Sequence, residues 1–353
     1  MAPKLGLNLG YWGIGPQGEE AVELVKAAER AGYDSVWVAE SYGSDAVSVL
    51  AWLAPQTESI MLGAAIMQVP ARPPAAAAMA GCTIDALSGG RFIFGFGPSG
   101  PQVSVGWYGV PYAKPWGRTR EYIEVVRAIV ARQDKLTYEG EHYTLPLPDG
   151  QGKPLKLNFH PLRNEIPVFI GAIGRKSVEL AAEICDGWIP IFFSVDAFEQ
   201  TWGEHLEAGF AKGGRSRSDL EVSPTLSVAI DGDLDTARNM VKGALLLYLG
   251  GMGSRKTNFY VDLACRFGFE KEALEVQSLY LDGKREQAYE AIPDELVDST
   301  ALIGTESEVA ERVERFAAAG VDRLIVSPVQ MDPAERLHTI ERLAAMTGAA
   351  QPA

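Results

Sequence analysis

The chain is poor in the residues from which metal sites and disulfide frameworks are made. Of 353 residues only three are cysteine (Cys82, Cys185, Cys265) and four histidine (His142, His160, His205, His338). The cysteines stand far apart in apolar or alanine-rich surroundings, which fits buried packing and not a disulfide or ligand set. The histidines show no HExxH or comparable spacing, so no metal is expected. A cationic excess is also missing: 32 Lys and Arg face 46 Asp and Glu, a net charge of −14. That removes the basic footprint that nucleic acid or an anionic membrane surface requires. No run approaches the roughly 18 apolar residues of a membrane span, and the start, MAPKLGLNLGYWG, has no long apolar leader. The expectation is a cytoplasmic protein that handles a small molecule, with neither nucleic acid nor membrane as partner.

What is present is alternation. Apolar runs at Leu5, Val36, Gly63, Ile93, Phe169, Ile189, Ser227 and Ile325 alternate with segments of helical period. The last two helices open on a capping box, Thr305-Glu306-Ser307-Glu308, and on Asp332-Pro333. Nothing marks a boundary between halves, so the pattern predicts a single (β/α)8 barrel domain over residues 1–353. An open doubly wound sheet would want a dinucleotide fingerprint after its first strand. Gly10-Tyr11-Trp12-Gly13-Ile14-Gly15 runs into Pro16 without that spacing. Two stretches break the alternation and are read as insertions: about 133–165, rich in Pro, Gly and charge and suited to a short β-ribbon, and about 249–299, short helices and loops.

Strand exits carry the chemistry in such folds, and here they are glycine-rich or polar. Glu40-Ser41-Tyr42 follows the second strand, and Gly95-Phe96-Gly97-Pro98-Ser99-Gly100 contains the fourth exit. The run from Ile166 to Phe193 is a βαβ unit whose turn reads Gly171-Ala172-Ile173-Gly174-Arg175-Lys176-Ser177. Glycines that let the backbone approach a ligand, a helix start and two cations make up an anion site; the same residues also suit a tight turn with solvated cations. Tyr11, Trp12, Trp107, Tyr108 and Trp116 are candidates for the walls of an apolar substrate pocket.

The segments LGLNLGYWG, YDSVWVAESYGSDA, LSGGRFIFGFGPSGPQVSVGWYG and IGRKSVELAAEICDGWIPIFFS resemble the luciferase-like monooxygenase superfamily. Within it, they are similar to the actinobacterial branch, of methylenetetrahydromethanopterin reductase type, that uses coenzyme F420, an 8-hydroxy-5-deazaflavin. The likeness spans nearly the whole chain. It implies a luciferase-like barrel with the cofactor at the C-terminal strand ends, and, together with the off-pattern segment 249–299, a homodimer. It implies a non-prolyl cis peptide at Ala65-Ile66 against which the ring stacks. Gly97 and Ser99 would contact the ring or ribityl chain, and Gly171, Ala172, Gly174, Arg175, Lys176 and Ser177 the phosphate. Glu40 would lie against the ring, and with Ser41 it occupies the catalytic rim. One departure concerns the sugar-phosphate dehydrogenases of the superfamily, whose catalytic histidine and glutamate are replaced here by Ser41 and Gly100. The resemblance thus implies hydride transfer between reduced deazaflavin and a C=C, C=N or C=O bond. An FMN-dependent monooxygenase on the same barrel and a non-catalytic coenzyme-binding protein are the alternatives.

Overall fold

A computed structural model describes residues 2–11, 16–148 and 150–349. Eight parallel strands form its centre: β1 (Lys4–Tyr11), β2 (Ser35–Ala39), β3 (Met61–Ala64), β4 (Phe92–Gly97), β5 (Val168–Gly171), β6 (Gly187–Ile189), β7 (Thr225–Ile230) and β8 (Arg323–Pro328). Each pairs with the next in chain order, and β8 pairs back to β1 with Leu5 opposite Leu324, which closes the ring. The β6–β7 joint is made by the two-residue strand Glu221–Val222 beside Gly187 and Trp188, and by a bridge from Ile191 to Thr225. The eight expected strands are these eight.

Two differences from the expected pattern have local causes. β6 ends at Ile189 while β7 runs on to Ile230, so the upper half of β7 would present a bare edge. Ala301–Gly304 covers it as an additional parallel strand, with Ser227 opposite Ala301. Three residues between a helix and Gly304 are too few for a period to register. The glycine-rich exit of β4 also contains a short helix, Pro101–Gly106, started by a proline whose missing N–H costs nothing at a first helical position.

Inside the ring, Trp37, Ile93, Phe169, Ile189 and Ile325 pack together, the Trp37 and Phe169 rings 5.3 Å apart. Gly63 makes this possible, because a Cβ there would lie 2.3 Å from Cε3 of Trp37. The lower end is closed by Arg323, which is 3% exposed. Its guanidinium donates to Glu221 at 2.7 Å, pairs with Asp34 at 2.7 Å, donates to Ser35 Oγ and lies 5.6 Å from the Trp37 ring centroid. The barrel is therefore a filled core with one functional end.

The 133–165 stretch does contain a ribbon, Tyr138–Glu139 antiparallel to Thr144–Leu145, tied down by Glu121, which accepts the backbone N–H groups of Glu141, His142 and Tyr143 at 2.8–3.0 Å. Arg163 fastens its far end to the buried Asp85 and to the carbonyl of Phe92 at 2.6 Å. In the 249–299 stretch, helices Phe259–Arg266, Glu270–Leu281 and Asp294–Thr300 share a second apolar cluster that includes Val241, Leu245, Val261, Val276 and Leu296, and a further helix is Arg285–Glu290.

Candidate functional site

The C-terminal strand ends surround a cavity of about 740 Å³, within the range of small-molecule and cofactor sites. Its floor and rim come from the exits of β1 to β6, from Thr225 at the start of β7 and from the segment between Tyr248 and Arg266.

At the β2 exit, the Glu40 carboxylate is buried and accepts four hydrogen bonds. Arg72 donates to both oxygens, at 3.1 and 2.9 Å, while the backbone N–H groups of Ala46 and Gln68 each donate at 3.2 Å. Arg72 also pairs with Asp45 at 2.6 Å, the residue that caps the helix Ala46–Leu53 by accepting from Ser48 N–H at 2.7 Å. Burial pushes the Arg72 pKa down, but Glu40 and Asp45 outweigh it, and its net direction is up. For Asp45, burial pushes up, and Ser48 and Arg72 bring the net below the usual carboxylate value. Glu40 thus fixes the β2 exit to the β3 exit. Its acceptor positions are filled by protein. Neither Arg72 nor Gln68 is singled out by sequence, although Gln68 is the one polar residue in the apolar run 60–69. Gln68 is 1% exposed; its Nε2 donates to the Ser41 carbonyl at 2.6 Å, and its Oε1 has no partner.

Between β3 and β5 a slot of the cavity is lined by Ile66, Gly97 and Gly171, and the two glycines lack the Cβ atoms that would crowd the Ile66 side chain. A Cβ on Gly97 would stand 2.2 Å from Cδ1 of Ile66, and one on Gly171 would stand 3.0 Å from its Cγ2. The Ala65–Ile66 peptide is cis. Ala65, Ile66, Gly97, Ser99, Gly171, Ala172 and Gly174 all line the cavity, as do Glu40 and Ser41. The structure thereby brings together the predicted residues from four separate strand exits. Arg175, Lys176 and Ser177 fall outside the lining. Arg175 and Lys176 are exposed on the first turn of helix Arg175–Ile184, and the Ser177 hydroxyl turns back to donate to Gly174 O at 2.7 Å. The cation that does enter the lining at this loop is Arg266, from the end of the helix Phe259–Arg266. Its Nη2 donates to Ile173 O at 3.1 Å, whereas its Nη1 is buried with no protein acceptor. Burial and the neighbouring Arg175 both push its pKa down, Asp262 opposing them. An arginine so placed has an unfilled donor beside a glycine loop and a helix start, which is what an anion needs.

The aromatic wall differs in part from the expected one. Tyr11, Trp107 and Trp116 line the cavity; Trp12 lies outside the described residues. Tyr108 is not in the lining. Its hydroxyl donates to the Ser41 carbonyl at 3.3 Å, so it buttresses the β2 exit. Tyr112 takes the wall position instead, with its hydroxyl on Ser99 O at 3.0 Å, and Tyr248 and Tyr260 join from the 249–299 side, their rings 4.8 Å apart. No group of metal-ligating side chains occurs among the described residues.

Fold and cavity together define a (β/α)8 barrel protein with a large cavity at the C-terminal strand ends. The profile of the luciferase-like monooxygenase family matches residues 9–323. A protein of Mycobacterium tuberculosis that carries the provisional name coenzyme F420-dependent oxidoreductase is 48% identical over 330 residues, 92% of this chain and 94% of that protein. The 5,10-methylenetetrahydromethanopterin reductase of Archaeoglobus fulgidus is 30% identical over 323 residues, covering 90% and 92% of the two chains. Among solved structures, the coenzyme F420 dependent tetrahydromethanopterin reductase of Methanopyrus kandleri superposes with a TM-score of 0.80 over 98% of each chain, at 23% identity. The chain belongs to the luciferase-like monooxygenase family.

Proposed function

We propose that this protein is a coenzyme F420-dependent oxidoreductase that transfers a hydride between reduced deazaflavin and a C=C, C=N or C=O bond of an organic substrate. The observation that carries the reading is the two-ended cavity: a glycine-walled slot at Ile66, Gly97 and Gly171, leading to an anion end where Arg266 keeps a buried, unpartnered Nη1. A flat tricyclic ring on a phosphate-bearing tail matches both ends. The names of the two relatives above add support from outside the geometry.

In this reading the bound coenzyme supplies the hydride, and the chain's own groups hold, orient and shield it. Gly97 and Gly171 let Ile66 seat against them, so that the three together offer a wall to a ring face, and the Gly171–Gly174 backbone with Arg266 holds the tail's negative charge. Glu40 is a positioning residue: with Arg72 it keeps Ser41 and Gln68 at fixed places on the rim. Tyr11, Tyr112, Trp107 and Trp116 exclude water above the slot. Homodimer formation belongs to the same reading, and light scattering reporting only a 38.1 kDa species at high micromolar concentration would count against it.

The direct test is a fluorescence titration of the purified protein with F420 and, separately, with FMN. Saturable binding of F420 at micromolar concentration is the expected result, weakened about 10- to 100-fold in Arg266→Met, since hydrogen bonds to charged groups contribute roughly 1.5–3 kcal/mol. The exposed pair Arg175→Ala/Lys176→Ala should cost less and mainly flatten the salt dependence. Tighter binding of FMN with oxygen consumption would replace the reading by a flavin monooxygenase. Binding of F420 without turnover of any enone, imine or ketone would point to a non-catalytic carrier.

A further inference from the structure

The part of the cavity that faces the anion end has a chemistry of its own. β1 stands four strands from β5 in either direction round the eight, so Tyr11 at the end of β1 lies across the mouth from the Gly171–Gly174 loop. Tyr11 and Tyr248 both line this part of the cavity, and the Tyr248 ring meets Tyr260 at 4.8 Å and Phe192 at 5.2 Å. Each phenol brings one O–H donor to the lining. Burial pushes the Tyr11 pKa up, with Tyr248 opposing it and Tyr42 adding to it, so the phenol stays protonated at neutral pH.

Charge is scarce there. Among the described residues the lining holds three ionisable carboxylate or guanidinium groups, Glu40, Asp262 and Arg266. Glu40 is neutralised by Arg72, and Arg266 with Asp262 one helical turn before it belongs to the opposite end. A charged substrate group at Tyr11 would thus be desolvated with no counter-ion, while a neutral planar one would meet aromatic faces and phenol donors.

Resting on the functional reading above, we propose that the substrate is an uncharged, planar conjugated carbonyl compound whose oxygen accepts a hydrogen bond from the Tyr11–Tyr248 phenol pair. The pair acts on the carbonyl oxygen, where electron density accumulates as the carbon accepts hydride.

Two probes with the same ring system separate neutral from charged recognition: 2-acetylnaphthalene, a ketone, and 2-naphthoate, a carboxylate. Their binding to the F420-loaded full chain is measured by quenching of tryptophan fluorescence, without turnover. The ketone should bind saturably and at least about tenfold more tightly than the carboxylate. Tyr11→Phe and Tyr248→Phe should each weaken the ketone by roughly five- to tenfold, the value of one neutral hydrogen bond, and leave F420 affinity unchanged. Carboxylate binding equal to or tighter than ketone binding overturns the proposal, as does ketone affinity that neither variant alters, or failure of the ketone to bind a protein that holds F420. A variant that loses F420 as well as the ketone overturns it too, by assigning the tyrosines to the cofactor. If the wild type fails to bind F420, it is the functional reading that falls.

Discussion

Arg72 illustrates how a single cation can decide the role of its neighbours. Its guanidinium spreads over Glu40 and Asp45, so the carboxylate expected to act on the ring or on a proton is held in an ion pair at the cavity rim. Removing one member of a buried pair costs more than the pair contributes, because the survivor keeps its desolvation penalty. Arg72→Ala is accordingly expected to lower stability by about 3–5 kcal/mol in urea titrations. Glu40→Gln keeps shape and part of the bonding, and turnover at saturating coenzyme should stay within about tenfold of wild type; a loss of about 100-fold or more would return a general-acid role to Glu40. The cysteines make a simpler case. Burial, with Asp85 adding to it, pushes Cys82 up to about 11, and burial pushes Cys185 up to about 12. Cys265 is raised as well but half-buried. A disulfide-forming thiol reagent at pH 8 should therefore titrate one thiol, Cys265, in the native protein and all three after unfolding.

At the scale of elements, much of the order was legible in the sequence and its reach had a definite limit. Strands and helices were readable because each is fixed by a local period and a cap: Thr305 and Glu308 do exchange their capping-box hydrogen bonds, and Asp332 does cap the last helix. Arg266 was not readable, because its partner at Ile173 lies 93 residues away and an arginine ending a helix usually serves the helix dipole. Nor was the exchange of Tyr108 for Tyr112, since side-chain direction in an irregular segment follows no period. A second long-range tie of this kind joins the first helix, Glu19–Arg30, to the start of β3. The Glu29 carboxylate accepts from the backbone N–H groups of Glu58, Ser59 and Ile60 at 2.6–2.9 Å. Burial pushes its pKa up, but these bonds and the Ser59 hydroxyl outweigh it, so the folded value lies below the ordinary 4.5. A depressed carboxylate contributes stability that is present above its unfolded pKa and lost as pH falls through the folded one. Glu29→Gln should lower stability at pH 7 and shrink the loss seen below about pH 4.5, compared with wild type in urea midpoints measured across that range.

The whole molecule is divided into a sealed end and a working end. Arg323, Asp34 and Glu221 close the first around Trp37, and the strand exits open the second. Arg323→Met would leave two carboxylates facing a buried tryptophan without a cation, and a destabilisation of about 3–5 kcal/mol is expected, with coenzyme affinity in the surviving folded fraction unchanged. An equal loss of affinity and stability would show that the two ends are coupled.

The packed interior described for the barrel has a kinetic consequence. A vessel stoppered at the bottom admits and discharges through one neck, so two guests that share it cannot come and go independently. Whichever guest reaches the slot beside Gly97 and Gly171 arrives first and departs last, and the one held at the tyrosines waits above it. Product-inhibition patterns should then be those of a compulsory sequence, the coenzyme leading, and not those of random encounter.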